Sequence, residues 1–147
     1  MASPTQTTMQ SVTPMLAYED AAAALDWLAE SFGFRERTRM AMPDGTIGHA
    51  EMESGGGGVI MLATPSRDYQ SPRHHAETCE VARTWMSVPW VIDGVHVIVE
   101  NVDEHFRRAK AAGATILSEP EDQDYGERTY RAADLEGHRW MFAQLLG

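Results

Sequence analysis

The sequence predicts an α+β protein made of two β-α-β-β-β modules that a long segment connects. Two observations lead to this fold class. The same order of strand, helix and three strands occurs twice, with the two helices about eighty residues apart. A glycine, Gly33 or Gly113, follows each helix, at the place where a residue that tolerates positive φ commonly ends a helix. The two halves share little sequence identity, so the repeat lies in the order of the elements.

Composition and pattern divide the chain into four parts. Residues 1–10 are predicted to be a disordered leader, because they lack the basic start and apolar core of a signal peptide. The first module is predicted at residues 11–65 and the second at residues 94–147. Residues 66–93 are too long for a plain connector, and they are predicted to form a linker or lid that contains a helix.

Hydrophobic periodicity places the helix of the first module. Asp20 suits the N-cap of a helix that ends at Phe32, and Leu25, Leu28 and Phe32 form an apolar stripe along it. Period-two patterns and turn residues predict the strands. These strands are Val12–Tyr18, Phe34–Met42, Ile47–Glu53 and Val59–Ala63.

The second module is predicted in the same way. Its first strand is Val95–Val99, in which valines alternate with His96 and Ile98. Asn101 caps the predicted helix Val102–Ala112. The later strands are predicted at Ala114–Ser118, Glu127–Ala133 and His138–Leu145. Within the last strand, Trp140 is expected to pack against a helix on the side opposite Met141.

The segment between the modules carries two large aromatic side chains, Trp85 and Trp90. It contains neither proline nor glycine between His74 and Met86, which predicts a helix there. A lid, a pocket wall and a dimer contact would each give these tryptophans a surface to pack on. The sequence leaves the three alternatives open.

Composition limits the classes of function. The 147 residues are 43% apolar, enough for a packed core, and no apolar run approaches the roughly 18 residues of a membrane span. The single cysteine, Cys79, excludes a disulfide within the chain and favours a cytoplasmic location. The net charge of −10 argues against a nucleic-acid partner and favours a cationic or neutral ligand.

Two groups of residues have the chemistry of a catalytic or metal site. His49 and Glu51 share one face of a strand, so they are candidates for an acid–base pair or, alternatively, a polar face beside the neighbouring arginine-rich strand. His74, His75 and Cys79 resemble a metal cluster, but without a clear fourth ligand they are interpreted as incidental surface residues.

Arginine and aromatic residues suggest a ligand site. Arg128 and Tyr130 alternate along one strand and could hold an acidic or planar group, although Arg128 could instead pair with the acidic run Glu119–Asp124. Aromatic residues suit stacking on a flat ligand, and core packing is the alternative. Those expected near a pocket or lid are Tyr69, Trp85, Trp90, Tyr125 and Tyr130.

Four motifs together carry a family resemblance: Asp44–Glu51, Val102–Ala114, Glu119–Arg128 and Asp134–Trp140. With them, residues 11–145 resemble the vicinal oxygen chelate superfamily of glyoxalase, bleomycin-resistance and extradiol-dioxygenase proteins. The resemblance implies that each module forms a cupped mixed sheet and that the paired cups surround a pocket. It also implies a homodimer.

The same resemblance implies where the enzymes of the family would hold a divalent metal. The corresponding positions here are Thr13, Met61, Gly94 and Met141, none of which is a good ligand for such an ion. A shift of two residues would bring in His96, and one imidazole does not make a site. We therefore expect neither a metal site nor a cofactor.

Two functional classes follow from these observations. The first is a dimeric protein that binds a small aromatic or cationic compound, as bleomycin-resistance proteins do in antibiotic resistance. The ligand contacts expected for it are Met61, Trp85, Trp90, His96, Tyr125, Arg128, Tyr130 and Met141. The alternative is a lyase, isomerase or dioxygenase of glyoxalase type, metal-dependent or using His49, Glu51 or His96 for acid–base chemistry.

Overall fold

The computed structural model describes residues 10–88 and 93–147. Within these ranges the chain forms two sets of one helix and four strands, with two short helices between them. In chain order the elements are β1 (Met15–Ala17), α1 (Ala21–Phe32), β2 (Arg35–Ala41), β3 (Ile47–Glu53), β4 (Val59–Ala63), α2 (Pro72–Thr78), α3 (Glu80–Met86), β5 (Gly94–Ile98), α4 (Val102–Ala111), β6 (Thr115–Asp122), β7 (Glu127–Ala133) and β8 (Arg139–Leu145).

The two sheets have the same topology. The strand order is β1-β4-β3-β2 in the first and β5-β8-β7-β6 in the second. In each sheet the first and last strands of the module pair in parallel, and the other neighbours are antiparallel. This confirms the predicted α+β class with two β-α-β-β-β modules.

Both long helices begin with the predicted caps. The Asp20 side chain accepts a hydrogen bond from the Ala23 amide at 3.0 Å, and Asn101 accepts one from the Glu104 amide at 3.1 Å. Helix α1 ends at Gly33, whose φ of 74° lies in the left-handed region that favours glycine. Residues next to the helix ends therefore determine where both helices begin and where α1 ends.

One face of each sheet packs on the helices, and these two faces share a single core. Its centre is aromatic: Phe32 of α1 lies 5.6 Å from Trp140 and 4.7 Å from Phe142, between ring centroids. Trp140 is only 1% exposed, so the prediction that it packs against a helix is confirmed. The other face of each sheet does not contribute to this core.

A buried polar contact, which we call the junction, joins residues 18–20 of the first module to residues 134–138 of the second. The Asp134 carboxylate accepts hydrogen bonds from the Tyr18 hydroxyl at 2.6 Å and the Trp140 indole at 3.0 Å. The Glu136 carboxylate accepts from the amides of Glu19 and Asp20. Burial raises the pKa of Tyr18, with the Asp134 charge adding to the effect.

Helix α4 supports the C-terminal end of helix α1. Arg108 donates hydrogen bonds to the carbonyls of Glu30 and Ala29, and His105 bridges the Phe32 carbonyl and the Tyr130 hydroxyl at 2.9 and 2.5 Å. Desolvation by burial is the main reason that the pKa of His105 falls to about 4. The histidine is therefore a neutral structural group at physiological pH.

The structure corrects three predicted boundaries. The helix predicted at 74–86 is two helices, because Cys79 is extended with φ −132° and ψ 114°. Strand β6 continues to Asp122, where it still pairs with β7, and Pro120 lies at a shift in that register. Strand β1 begins at Met15, after Pro14.

Two sequence predictions fall on residues outside the described ranges. These are residues 1–9 of the predicted leader, and Trp90. No helix in the described part of the chain has the length and apolar character needed to cross a membrane.

Candidate functional site

A cleft of about 670 Å³ lies on the side of the first sheet that faces away from the helices. Alternation along strand β3 explains this lining. Ala50 and Met52 point into the core, whereas Glu51 and Glu53 line the cleft and His49 lies on the same side of the strand. We call this side the first open face, formed by Arg35, Arg37, His49, Glu51, Glu53 and Met61.

The charged groups of the first open face pair with one another. Arg35 forms an ion pair with Glu53, and Arg37 lies 3.9 Å from Glu51 and 3.8 Å from Glu53. His49 Nε2 lies 2.9 Å from Glu51 Oε2. His49 and Glu51 are therefore in contact beside the arginine strand, and their role as an acid–base pair stays a prediction.

The second sheet has a corresponding second open face, formed by His96, Arg131, Arg139 and Met141. Strand register places His96 and Arg131 on either side of Met141. His96 Nε2 lies 3.1 Å from Glu127 Oε1, a contact that passes over the intervening strand β8. The Arg131 guanidinium contacts the Met141 sulfur at 3.7 Å.

Arg139 fixes the end of the inter-module segment to this face. Its guanidinium donates to the carbonyls of Val88 and Met86 at 2.6 and 2.5 Å, and the residue is only 4% exposed. Desolvation lowers the pKa of Arg139. Sequence reasoning missed this residue because its partners lie more than fifty residues away, on a segment with no periodic signal.

Two predicted ligand contacts face the helices instead of the open face. Tyr130 is 0% exposed and belongs to the core, where burial raises its pKa. Arg128 forms ion pairs with Asp103 at 3.1 Å and Asp122 at 3.0 Å. The alternative predicted for Arg128, a pair with the acidic run, is therefore the one observed, and Asp103 of α4 is an additional partner.

The predicted aromatic contacts are not gathered in one place. Trp85 is 52% exposed and lines a separate groove of about 250 Å³ between α2 and α3, together with Tyr69 and His75. Tyr125 is 59% exposed in the turn between β6 and β7. His74 contacts Glu19 at 3.1 Å, away from Cys79. Neither the groove nor the turn adds a residue to the open faces described above.

Strand register locates the positions at which the family resemblance implies metal ligands. Met61 pairs with Met15, and Met141 pairs with His96, so the first and fifth strands are shifted by two residues from Thr13 and Gly94. Three thioethers and one imidazole do not fit a hard or borderline divalent ion. In the described parts of the chain, no three His, Cys, Asp or Glu side chains are grouped to hold a metal.

Comparisons with known proteins agree with the fold. The family model described as Glyoxalase/Bleomycin resistance protein/Dioxygenase superfamily matches residues 10–142. An uncharacterized protein of Mycobacterium tuberculosis is 30% identical over 138 residues, which cover 91% of this chain and 74% of the relative.

Solved structures are similar over nearly the whole chain. The structure of TioX from Micromonospora sp. ML1 has a TM-score of 0.64 and 37% identity, and the match covers 92% of this chain and 95% of TioX. TnmS3, an antibiotic binding protein from Streptomyces sp. CB03234, has a TM-score of 0.63 and 16% identity, covering 95% and 98%. At that identity TnmS3 supports the fold alone. This chain belongs to the glyoxalase/bleomycin resistance protein/dioxygenase superfamily.

Proposed function

We propose that this protein is a homodimer that binds a small aromatic compound on its open faces, without a four-ligand divalent metal site. The observation that carries this proposal is the cleft of about 670 Å³ on a sheet whose opposite face is already packed on the core. That volume is within the roughly 300–1,000 Å³ typical of small-molecule sites. The missing donors argue against metal chemistry there.

A binding role is consistent with the fold that this chain shares with TnmS3. TnmS3 is described as an antibiotic binding protein, and it shares the fold of this chain. The first open face offers apolar surface at Met61 and hydrogen-bonding groups at Arg37 and Glu51. This mixture suits a planar compound with polar substituents.

Exposed apolar residues support the homodimer. Met15, Ile98 and Leu145 lie on strands of the two sheets and are 79%, 44% and 63% exposed. Each sheet also has two edge strands that pair with no further strand among residues 10–88 and 93–147. A second copy of the chain would cover such surfaces. Light scattering at micromolar concentration should give twice the 16.3 kDa chain mass, and a monomer would contradict the dimer.

Calorimetric titration with naphthalene-2-carboxamide, a flat neutral probe, tests the binding role. We expect saturable binding that EDTA does not change. Met61→Arg should abolish it by placing a long charged side chain in the cleft. The matched control is Ala111→Arg, which adds the same side chain at an exposed position of α4 and should leave binding unchanged. Binding that Met61→Arg leaves intact would contradict the proposed location.

Histidine substitutions test the absence of a metal site. His49→Ala and His96→Ala should change probe affinity only modestly, and neither variant should gain or lose a dependence on added metal or chelator. If chelation abolishes binding or activity, and either substitution removes a bound metal, the metal-dependent enzyme is the correct alternative.

The His49–Glu51 pair favours a second candidate, a metal-free acid–base enzyme. An imidazole hydrogen-bonded at 2.9 Å to a carboxylate beside a cleft can accept and return a proton. The test is His49→Gln. In such an enzyme the substitution would abolish turnover of a bound compound while binding survives, whereas a binding protein shows no turnover in either form.

A further inference from the structure

The second open face carries two guanidinium groups that have no carboxylate partner among the described residues. The ion pairs of that part of the chain include neither Arg131 nor Arg139. What distinguishes these two arginines is that they lie together on one face of a sheet, in a chain with 22 acidic and 12 basic residues. The two arginines therefore place two positive charges side by side on this face.

Strand register places the two arginines close together. Arg131 is the partner of Met141, and Arg139 precedes Met141 by two residues on the same face of β8. Such diagonal neighbours are separated by about 7–8 Å. Arg131 is half-buried and already points along the sheet towards the Met141 sulfur, which is a weak acceptor that a stronger one can displace.

Arg139 is more deeply buried and is incompletely satisfied. Its two terminal nitrogens donate to backbone carbonyls, which carry no net charge, and its Nε has no hydrogen-bond partner within residues 10–88 and 93–147. A buried cation without a counter-charge is costly, so an anion near it gains more than it would in water. The guanidinium thus raises the positive potential of the face without having to touch a ligand.

Nearby acidic groups offset only part of this charge. Glu127 lies on the same face, with its carboxylate held by His96, and it balances one of the two guanidinium groups. Glu121 is an exposed residue of the neighbouring strand β6, where it is the register partner of Thr129. The first open face provides a comparison within the molecule, because Arg35 and Arg37 there both have carboxylate neighbours within 4 Å.

We propose that the second open face binds the planar anionic group, such as a carboxylate, of an aromatic ligand, with Arg131 making the contact and Arg139 supplying the field. A guanidinium matches a carboxylate through two parallel hydrogen bonds. This inference rests on the proposed binding function and changes the ligand class from the cationic or neutral compound that the net charge suggests to an aromatic acid.

The test compares two probes of the same shape, 2-naphthoate and naphthalene-2-carboxamide, by calorimetric titration of the full chain. The wild type should bind naphthoate at least about tenfold more tightly, the advantage expected of a charge-assisted pair. Arg131→Gln should bring the ratio close to one, and Arg131→Lys should retain part of it because the charge remains without the planar fork. Arg107→Gln, an equal charge change on the exposed side of α4, should leave the ratio unchanged.

Each outcome distinguishes this inference from the proposed function. Equal affinity of the wild type for both probes would overturn the anion site and leave the binding role intact. An equal loss of preference in Arg131→Gln and Arg107→Gln would also overturn it, because the effect would then be one of net charge. If the wild type bound neither probe, both proposals would fail.

Discussion

The two sides of each sheet differ in how their polar groups are satisfied. On the helix side, Asp134 is 4% exposed and accepts four hydrogen bonds, from the Tyr18 hydroxyl, the Trp140 indole and the amides of Glu136 and His138. On the first open face, Arg37 approaches its carboxylate neighbours only to 3.8 and 3.9 Å. Asp134 is fully bonded within the chain, whereas Arg37 retains bonding capacity for a partner.

This difference separates stability from binding. Removing one partner from a buried, fully hydrogen-bonded polar network greatly lowers the free energy of unfolding, because the remaining partners are left unpaired. An exposed ion pair contributes little, because water and salt replace it. Substitutions on the helix side should therefore lower the free energy of unfolding, and substitutions on the open faces should change ligand affinity at nearly constant stability.

The largest loss of stability is expected for Asp134→Ala. The substitution leaves the Tyr18 hydroxyl and the Trp140 indole without their acceptor, and it removes one of the two carboxylates that form the junction between the modules. We expect the free energy of unfolding to fall by about 3–5 kcal/mol, the range for breaking a buried charged contact. Urea denaturation measures it. Asp124→Ala, in the exposed turn between β6 and β7, is the control, and equal effects of the two substitutions would contradict this account.

A smaller, pH-dependent loss is expected from His105. Its pKa is about 4 in the folded chain, mainly through desolvation, and about 6.5 when unfolded. The unfolded state therefore binds an additional proton between these values. The resulting stability is complete above pH 6.5 and is lost as pH falls towards 4, by at most about 3 kcal/mol.

The matched variant for this prediction is His105→Gln, which retains hydrogen-bonding atoms near Tyr130 and Phe32 but does not titrate. Urea midpoints between pH 7 and 5 should fall for the wild type and be flatter for the variant. Parallel curves for the two proteins would assign the acid sensitivity to other groups.

The smallest effect on stability is expected for Arg35→Ala on the first open face. Its side chain is 79% exposed and forms an ion pair with Glu53. Removing such a pair should lower the free energy of unfolding by less than about 1 kcal/mol. Thermal unfolding of this variant beside Asp134→Ala tests the contrast directly. A loss comparable to that of Asp134→Ala would show that the open face also stabilises the fold.

Sequence patterns predicted the elements well because their causes are local. The caps Asp20 and Asn101 and the terminal Gly33 act within a few residues of the helix that they bound. The break at Cys79 had no such signal, because the residues on either side of it favour a helix equally well.

The candidate site was harder to predict, because it depends on which face of a sheet is covered. Alternation correctly separates Trp140 from Met141, but it does not show which side of β7 meets the helices, so Tyr130 was expected near a ligand and lies in the core. The roles of Asp134 and Arg139 come from partners up to 116 residues away. Only the folded structure brings those partners together.

Native mass spectrometry of the protein isolated from the organism that makes it tests the central claim most directly. We expect a species of two chains that carries an organic compound, with a mass that EDTA does not change. Collisional release of that compound should give the mass of an aromatic molecule. A bare monomer, or a dimer that holds a stoichiometric divalent metal lost on chelation, would contradict the account.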